Sequence, residues 1–155
     1  MTEDDIVQFV TTLPGVAAVM ASQATGAPEV AWADWFIFYD HEGETPPDRR
    51  FPFATIVTKD YDGFDTFSEL NRPGVFRLNI AVGRHRFGDL MGYPPAEHAK
   101  NQHRFDYTAL DSLLPHPVYG GQAWVSILNP GDKTSERAKS LLTEARARAT
   151  ERRRP

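Results

Sequence analysis

The chain has 155 residues, a formal net charge of -4, 12% aromatic residues and no cysteine. That length suits one domain with its own hydrophobic core. Without cysteine there are no disulfides, thiolate nucleophiles, Fe–S clusters or zinc–cysteine sites, and the negative balance argues against a nucleic-acid sleeve.

The acidic opening Met1-Thr2-Glu3-Asp4-Asp5 is unlike the basic start of a secretory signal. No run of ~18 apolar residues occurs, so no membrane span and a cytoplasmic location are expected. Thr2 with Asp5 three residues on predicts a capped helix, and Ile6, Phe9, Val10 and Leu13 form its apolar face. Pro14-Gly15 ends it. Residues 16–22 and 32–40 read as strands, the second rich in aromatics. Residues 40–52 form a loop carrying Arg49 and Arg50. Residues 53–59 are a further strand, closed by the turn Asp60-Tyr61-Asp62-Gly63. Residues 64–70 suggest a helical turn.

Residues 75–82 are the clearest strand, and 84–91 a helix. Residues 92–105 look irregular. Leu110, Leu113 and Leu114 suggest a helical turn stopped by Pro115, and Val118-Tyr119 the start of a strand. Residues 124–128 are a strand. A final helix carries Ala138, Leu141, Leu142, Ala145 and Ala149 on one face. Strands do not alternate with helices, so an α+β two-layer sandwich is expected. It would have an antiparallel sheet of about five or six strands, with the N- and C-terminal helices packed on one face. Residues 1–150 form the domain and 151–155 a basic tail. Arginines near the C-terminus suit the negative pole of a helix dipole.

Alternation places a candidate site. Phe76, Leu78, Ile80 and Val82 point to one face of their strand, and Arg77 and Asn79 to the other. Thr55, Lys59, Trp124 and Ser126 share the second face on neighbouring strands. Donors beside a large apolar plate are the usual makeup of a small-molecule site. A polar, wet sheet face would show the same pattern. Arg49 and Arg50 could hold a carboxylate or phosphate in bidentate fashion. His116, stiffened between Pro115 and Pro117, suits a placed acid–base or hydrogen-bonding group. His98 and His103 with Glu97 lack the spacing of a metal motif, and neither metal nor cofactor is expected. Residues 60–71 fail as a calcium loop, because Asn71 stands where the twelfth-position acid belongs.

Several stretches carry a resemblance: Pro47-Asp48-Arg49-Arg50, residues 52–60, residues 72–80, and Leu114-Pro115-His116-Pro117-Val118-Tyr119 with Trp124-Val125-Ser126. In these the chain resembles an actinobacterial family catalogued only as a domain of unknown function. Leu13-Pro14-Gly15-Val16 and the strand led by Trp124 before a long last helix are similar, more distantly, to MmcQ/YjbR-like proteins. That resemblance implies an α/β sandwich on an antiparallel sheet, and DNA binding has been proposed for some members. The longer middle loops and acidic balance here depart from them.

The leading expectation is an accessory protein, monomeric or homodimeric, that binds a small anionic or aromatic molecule or a protein partner. Arg49, Arg50 and Arg77 would pair an anion. Trp32 and Trp124 would supply aromatic plates, with Lys59, Asn79 and His116 around them. The alternative is a cofactor-independent isomerase, lyase or cyclase using His116 with Asp34. A DNA-binding module using the C-terminal arginines ranks third.

Overall fold

A computed structural model describes residues 1–40 and 51–152. The chain opens with helix α1 (Glu3–Thr11), started by the reciprocal bonds expected of Thr2 and Asp5: Thr2 N–H donates to the Asp5 carboxylate at 2.8 Å, and Asp5 N–H to the Thr2 hydroxyl at 3.1 Å. Strands β1 (Val16–Met20), β2 (Trp35–Tyr39), β3 (Ala54–Val57) and β4 (Arg77–Ala81) follow. Then come α2 (Arg84–Met91), the short α3 (His98–Asn101), β5 (Leu113–Pro115), β6 (Trp124–Leu128) and α4 (Ser135–Arg152).

The six strands form one antiparallel sheet in the order β1-β2-β3-β4-β6-β5. The expected α+β architecture is therefore the one observed. Leu78 and Ile80 of β4, Ile56 of β3 and Val125 and Ile127 of β6 point to the same side. There they meet Ile6 and Val10 of α1 and Ala138, Leu141, Leu142 and Ala145 of α4. Each of these side chains is essentially fully buried. Removing that much apolar area from water, at roughly 25 cal/mol per Å², is what holds the two layers together.

Several local expectations are corrected. The strand expected from residue 32 begins only at Trp35, because Ala33 takes φ +75° and its N–H turns back to the Ala21 carbonyl at 2.9 Å. β3 stops at Val57 because Thr58 N–H donates to the Asp34 carboxylate at 2.9 Å instead of to a neighbouring strand. Residues 64–70 are not helical. They begin inside a tight turn bridged between Tyr61 and Asp65. Residues 92–105, expected to be irregular, contain α3 flanked by 3-10 turns. Leu113 and Leu114 extend along β6 instead of coiling, opposite Ile127 and Ser126. Pro115 is tolerated there because β5 is the sheet's edge. Val118 and Tyr119 belong to a turn leading into a 3-10 segment (Gly120–Gln122), not to a strand.

Candidate functional site

The second sheet face is covered too. Antiparallel register aligns Phe36, Thr55, Asn79, Ser126 and Leu114 as one row across five strands. Asn79 ties the middle of that row together. Its amide N–H donates to the Thr55 hydroxyl at 3.0 Å, and its carbonyl accepts from the Ser126 hydroxyl at 2.9 Å. The same carbonyl accepts Arg77 Nε–H at 2.8 Å.

Arg77 is 1% exposed, so its charge must be met by an acid. Asp65, from the turn after β3, takes Nη2 at 2.6 Å and Nη1 at 3.3 Å, and the Ser68 hydroxyl accepts from Nη1 at 2.9 Å. The remaining Nη2 hydrogen faces His116 Nε2 at 3.3 Å. Four of the five guanidinium N–H groups thus have an acceptor within the fold, and the fifth faces the His116 ring. Arg77 sits where alternation placed it, but an internal carboxylate already matches the charge that was expected to hold an anion.

His116 is 3% exposed. Its Nδ1 accepts backbone N–H bonds from Val118 at 3.0 Å and Tyr119 at 2.9 Å, closing the turn that Pro115 and Pro117 stiffen. Burial, then the charge of Arg77, then His98, hold its pKa well below the ordinary histidine value. The ring is therefore neutral near pH 7. A base of such low proton affinity is a weak one, and its strength lies in hydrogen bonding.

Asp34 lies elsewhere. Fully buried, it accepts from the Thr58 backbone and hydroxyl, both at 2.9 Å, from the Tyr61 hydroxyl, and from Lys59 Nζ at 3.5 Å. It is not paired with His116, so the expected acid–base couple does not form. Burial first, then the hydrogen bond to Asp34, push the Tyr61 hydroxyl well above its ordinary pKa. Lys59 Nζ also donates to the Trp32 carbonyl, and the Trp32 indole N–H to the Ala27 carbonyl at 3.0 Å. Lys59, Trp32 and Asp34 thus form one knot joining β2 to the end of β3. Arg49 and Arg50 lie outside the described residues.

Above Arg77, Asn79, Thr55 and His116 opens a cleft of about 670 Å³. Phe36, Phe64, Tyr119 and Trp124 wall it, with Val30 and Phe51 at the rim. Phe51, Phe64, Val30 and Tyr119 are among the few large apolar side chains the fold leaves exposed. The Tyr119 ring packs on the His116 ring at 4.9 Å and on Phe64 at 6.1 Å. A second cleft of about 600 Å³ shares Phe51, Pro52, Gln122 and Trp124 with the first. There Arg148 lies over Gly83 and donates to the Ala81 carbonyl at 3.1 Å. Only glycine fits at position 83, whose φ is +87° and whose Cβ would lie 2.3 Å from the Arg148 guanidinium carbon.

Of the expected site residues, the cleft unites Arg77, Asn79, His116 and Trp124, and it leaves out Trp32, Lys59 and Asp34. Asp65, Ser68 and Tyr61 were missed. The signal was available: an arginine in the middle of a strand needs a buried partner, and residues 60–65 hold three acids in a turn. Among the described residues no three histidine or acidic side chains converge as a metal site. Arg146, one of the arginines near the C-terminus, donates to the Pro14 carbonyl at 2.7 and 2.9 Å and lies over Tyr39. No described helix is long and apolar enough to cross a membrane.

Fold and cleft together define a two-layer α+β protein with a polar-floored, aromatic-walled hollow on the sheet face away from its terminal helices. The chain belongs to a family of unknown function, DUF6194, whose model matches residues 1–155. It is similar to the crystal structure of Deinococcus radiodurans protein DR2400, which carries the family-model domain DUF419. The TM-score is 0.56 at 14% identity, over 99% of this chain and 82% of that one. At such identity the likeness concerns the fold alone. No curated protein matches the chain.

Proposed function

We propose that this protein binds a small, flat, largely apolar molecule in the cleft over Arg77, Asn79 and His116. One observation carries the reading: buried, hydrogen-bonding side chains form the floor of a hollow walled by half-buried and exposed aromatic rings. Fixed polar groups at the base of an apolar cavity give orientation, and the rings give affinity. The rings also bring apolar surface that costs free energy in water. Of the two ligand classes expected, aromatic is favoured over anionic, because Asp65 already matches the charge of Arg77.

Catalysis through His116 is the second reading, with the neutral ring as a hydrogen-bond donor to a substrate and no paired acid. A cytoplasmic location, an actinobacterial origin and a distant kinship with MmcQ/YjbR-like proteins belong to the same proposal. The cysteine-free composition and the Leu13-Pro14-Gly15-Val16 stretch support them. DNA binding is not favoured, since Arg146 is already engaged with the body of the domain.

The test is a two-dimensional amide NMR titration with 2-acetylnaphthalene. The amides of Thr55, Asn79, Val118 and Tyr119 should shift together and saturate, with those of α1 unmoved. No shifts, or shifts spread over the whole surface, would refute the reading.

A further inference from the structure

Hydrogen bonding around His116 does not close. Three N–H groups point at its two ring nitrogens: those of Val118 and Tyr119 at Nδ1, and that of Arg77 Nη2 at Nε2. A neutral imidazole has one nitrogen that accepts and one that donates. The two backbone donors are fixed by the turn and lie at 3.0 and 2.9 Å, so Nδ1 is the acceptor and Nε2 carries the proton. Nε2–H then faces the N–H of Arg77 across 3.3 Å, donor against donor. Protonating the ring would only add a cation beside Arg77. Both side chains are at least nine-tenths buried, and no protein acceptor among the described residues relieves the conflict. Both line the cleft.

We infer that Arg77 Nη2 and His116 Nε2 form a two-donor seat for the carbonyl oxygen of an uncharged, flat ligand. This deepens the cleft reading and rests on it. One carbonyl oxygen has two lone pairs and accepts both hydrogens, turning an opposed pair into a converging one. A carboxylate suits the seat less well. Asp65 already binds the guanidinium with both oxygens, and a second carboxylate would meet its charge without gaining a free cation. Flatness follows from the walls, where the aromatic side chains of Phe36, Phe64, Tyr119 and Trp124 border the hollow above its buried polar floor.

The experiment compares three probes of one shape on the full chain by NMR titration: 2-acetylnaphthalene, 2-isopropenylnaphthalene and 2-naphthoate. The second lacks the oxygen acceptor and the third adds a charge. The ketone should bind about ten-fold more tightly than the alkene, and more tightly than the carboxylate. Nitrogen-15 shifts of the His116 ring should report the Nε2–H tautomer, with Nε2 moving on addition of the ketone only. His116→Asn keeps an acceptor near the Nδ1 position and deletes the far donor. It should bring ketone and alkene to within about two-fold of each other. Should that variant fail to fold, the wild-type ring shifts and the three affinities still decide.

Equal binding of ketone and alkene would overturn the oxygen seat and leave the cleft reading standing. Tightest binding by the naphthoate would overturn the uncharged ligand. Binding by none of the three at millimolar concentration would overturn the cleft reading and the seat together.

Discussion

Asp65 holds Arg77 through both carboxylate oxygens, at 2.6 and 3.3 Å, beneath a hollow lined with aromatic rings. The pair removes an unmatched charge from the middle of a sheet. It also fixes the direction of the guanidinium N–H that faces His116.

Breaking this pair from one side is costly. Asp65→Asn leaves a buried cation half-paired and should lower unfolding stability by about 3–5 kcal/mol in urea. The double variant Asp65→Leu with Arg77→Leu should lose much less than the sum of the two single changes, because no unmatched charge remains. Additive losses would show that the two side chains do not act as a pair.

His116 gives stability a defined pH dependence. The unfolded chain takes up this proton near the ordinary value of about 6.5, and the folded protein resists it. Stability from this group is therefore complete above about pH 6.5 and falls as the solution is acidified toward the folded value. The slope is at most about 1.4 kcal/mol per pH unit. His98, also lowered by burial, acts in the same direction. Urea midpoints should drop between pH 7.5 and pH 5, and His116→Asn should show a smaller drop. A midpoint independent of pH in the wild type would contradict this.

Asp111 governs behaviour in stronger acid. It takes φ +52° and accepts from the Thr134 hydroxyl at 2.6 Å and from the backbone N–H groups of Gly131, Lys133 and Thr134. The Thr134 hydroxyl first, then the backbone donors, lower its pKa to about 2. A depressed carboxylate stabilises the fold above its unfolded value and loses that contribution as pH falls through about 2. Acid unfolding followed by circular dichroism should show wild type losing stability between about pH 4 and pH 2, and Asp111→Asn losing less over that window. Parallel acid limbs would contradict the assignment.

Gly120 and Gly121 are adjacent yet should respond differently. A Cβ on Gly120 would lie 2.6 Å from the His98 ring, which is bonded to the Tyr93 hydroxyl at 3.1 Å and has little room to yield. Gly120→Ala should cost about 1–3 kcal/mol. At Gly121 the nearest neighbour is 4.0 Å away, and the same change should stay within about 0.5 kcal/mol. Equal thermal midpoints for the two variants would refute the close packing of His98.

Much of this was legible in the sequence because it depends on local periodicity. Phe76, Leu78, Ile80 and Val82 declared the core face of β4, and so placed Arg77 and Asn79 opposite. Thr2 and Asp5 declared the start of α1. What failed depended on partners far along the chain. Leu113 and Leu114 resemble a helical turn until β6 supplies a strand for them to pair with. Asp34 and Lys59 resemble site residues until Thr58, Tyr61 and the Trp32 carbonyl claim them. Asp65 went unnoticed because a turn rich in acids reads as solvated, and only the burial of Arg77 draws it inward.

The most direct test of the central claim is a crystal structure of the protein grown with 2-acetylnaphthalene. The bicyclic ring should lie between Phe64 and Trp124, with its oxygen about 3 Å from both Arg77 Nη2 and His116 Nε2. Density for the probe at another surface, or a cleft left empty under saturating probe, would contradict it.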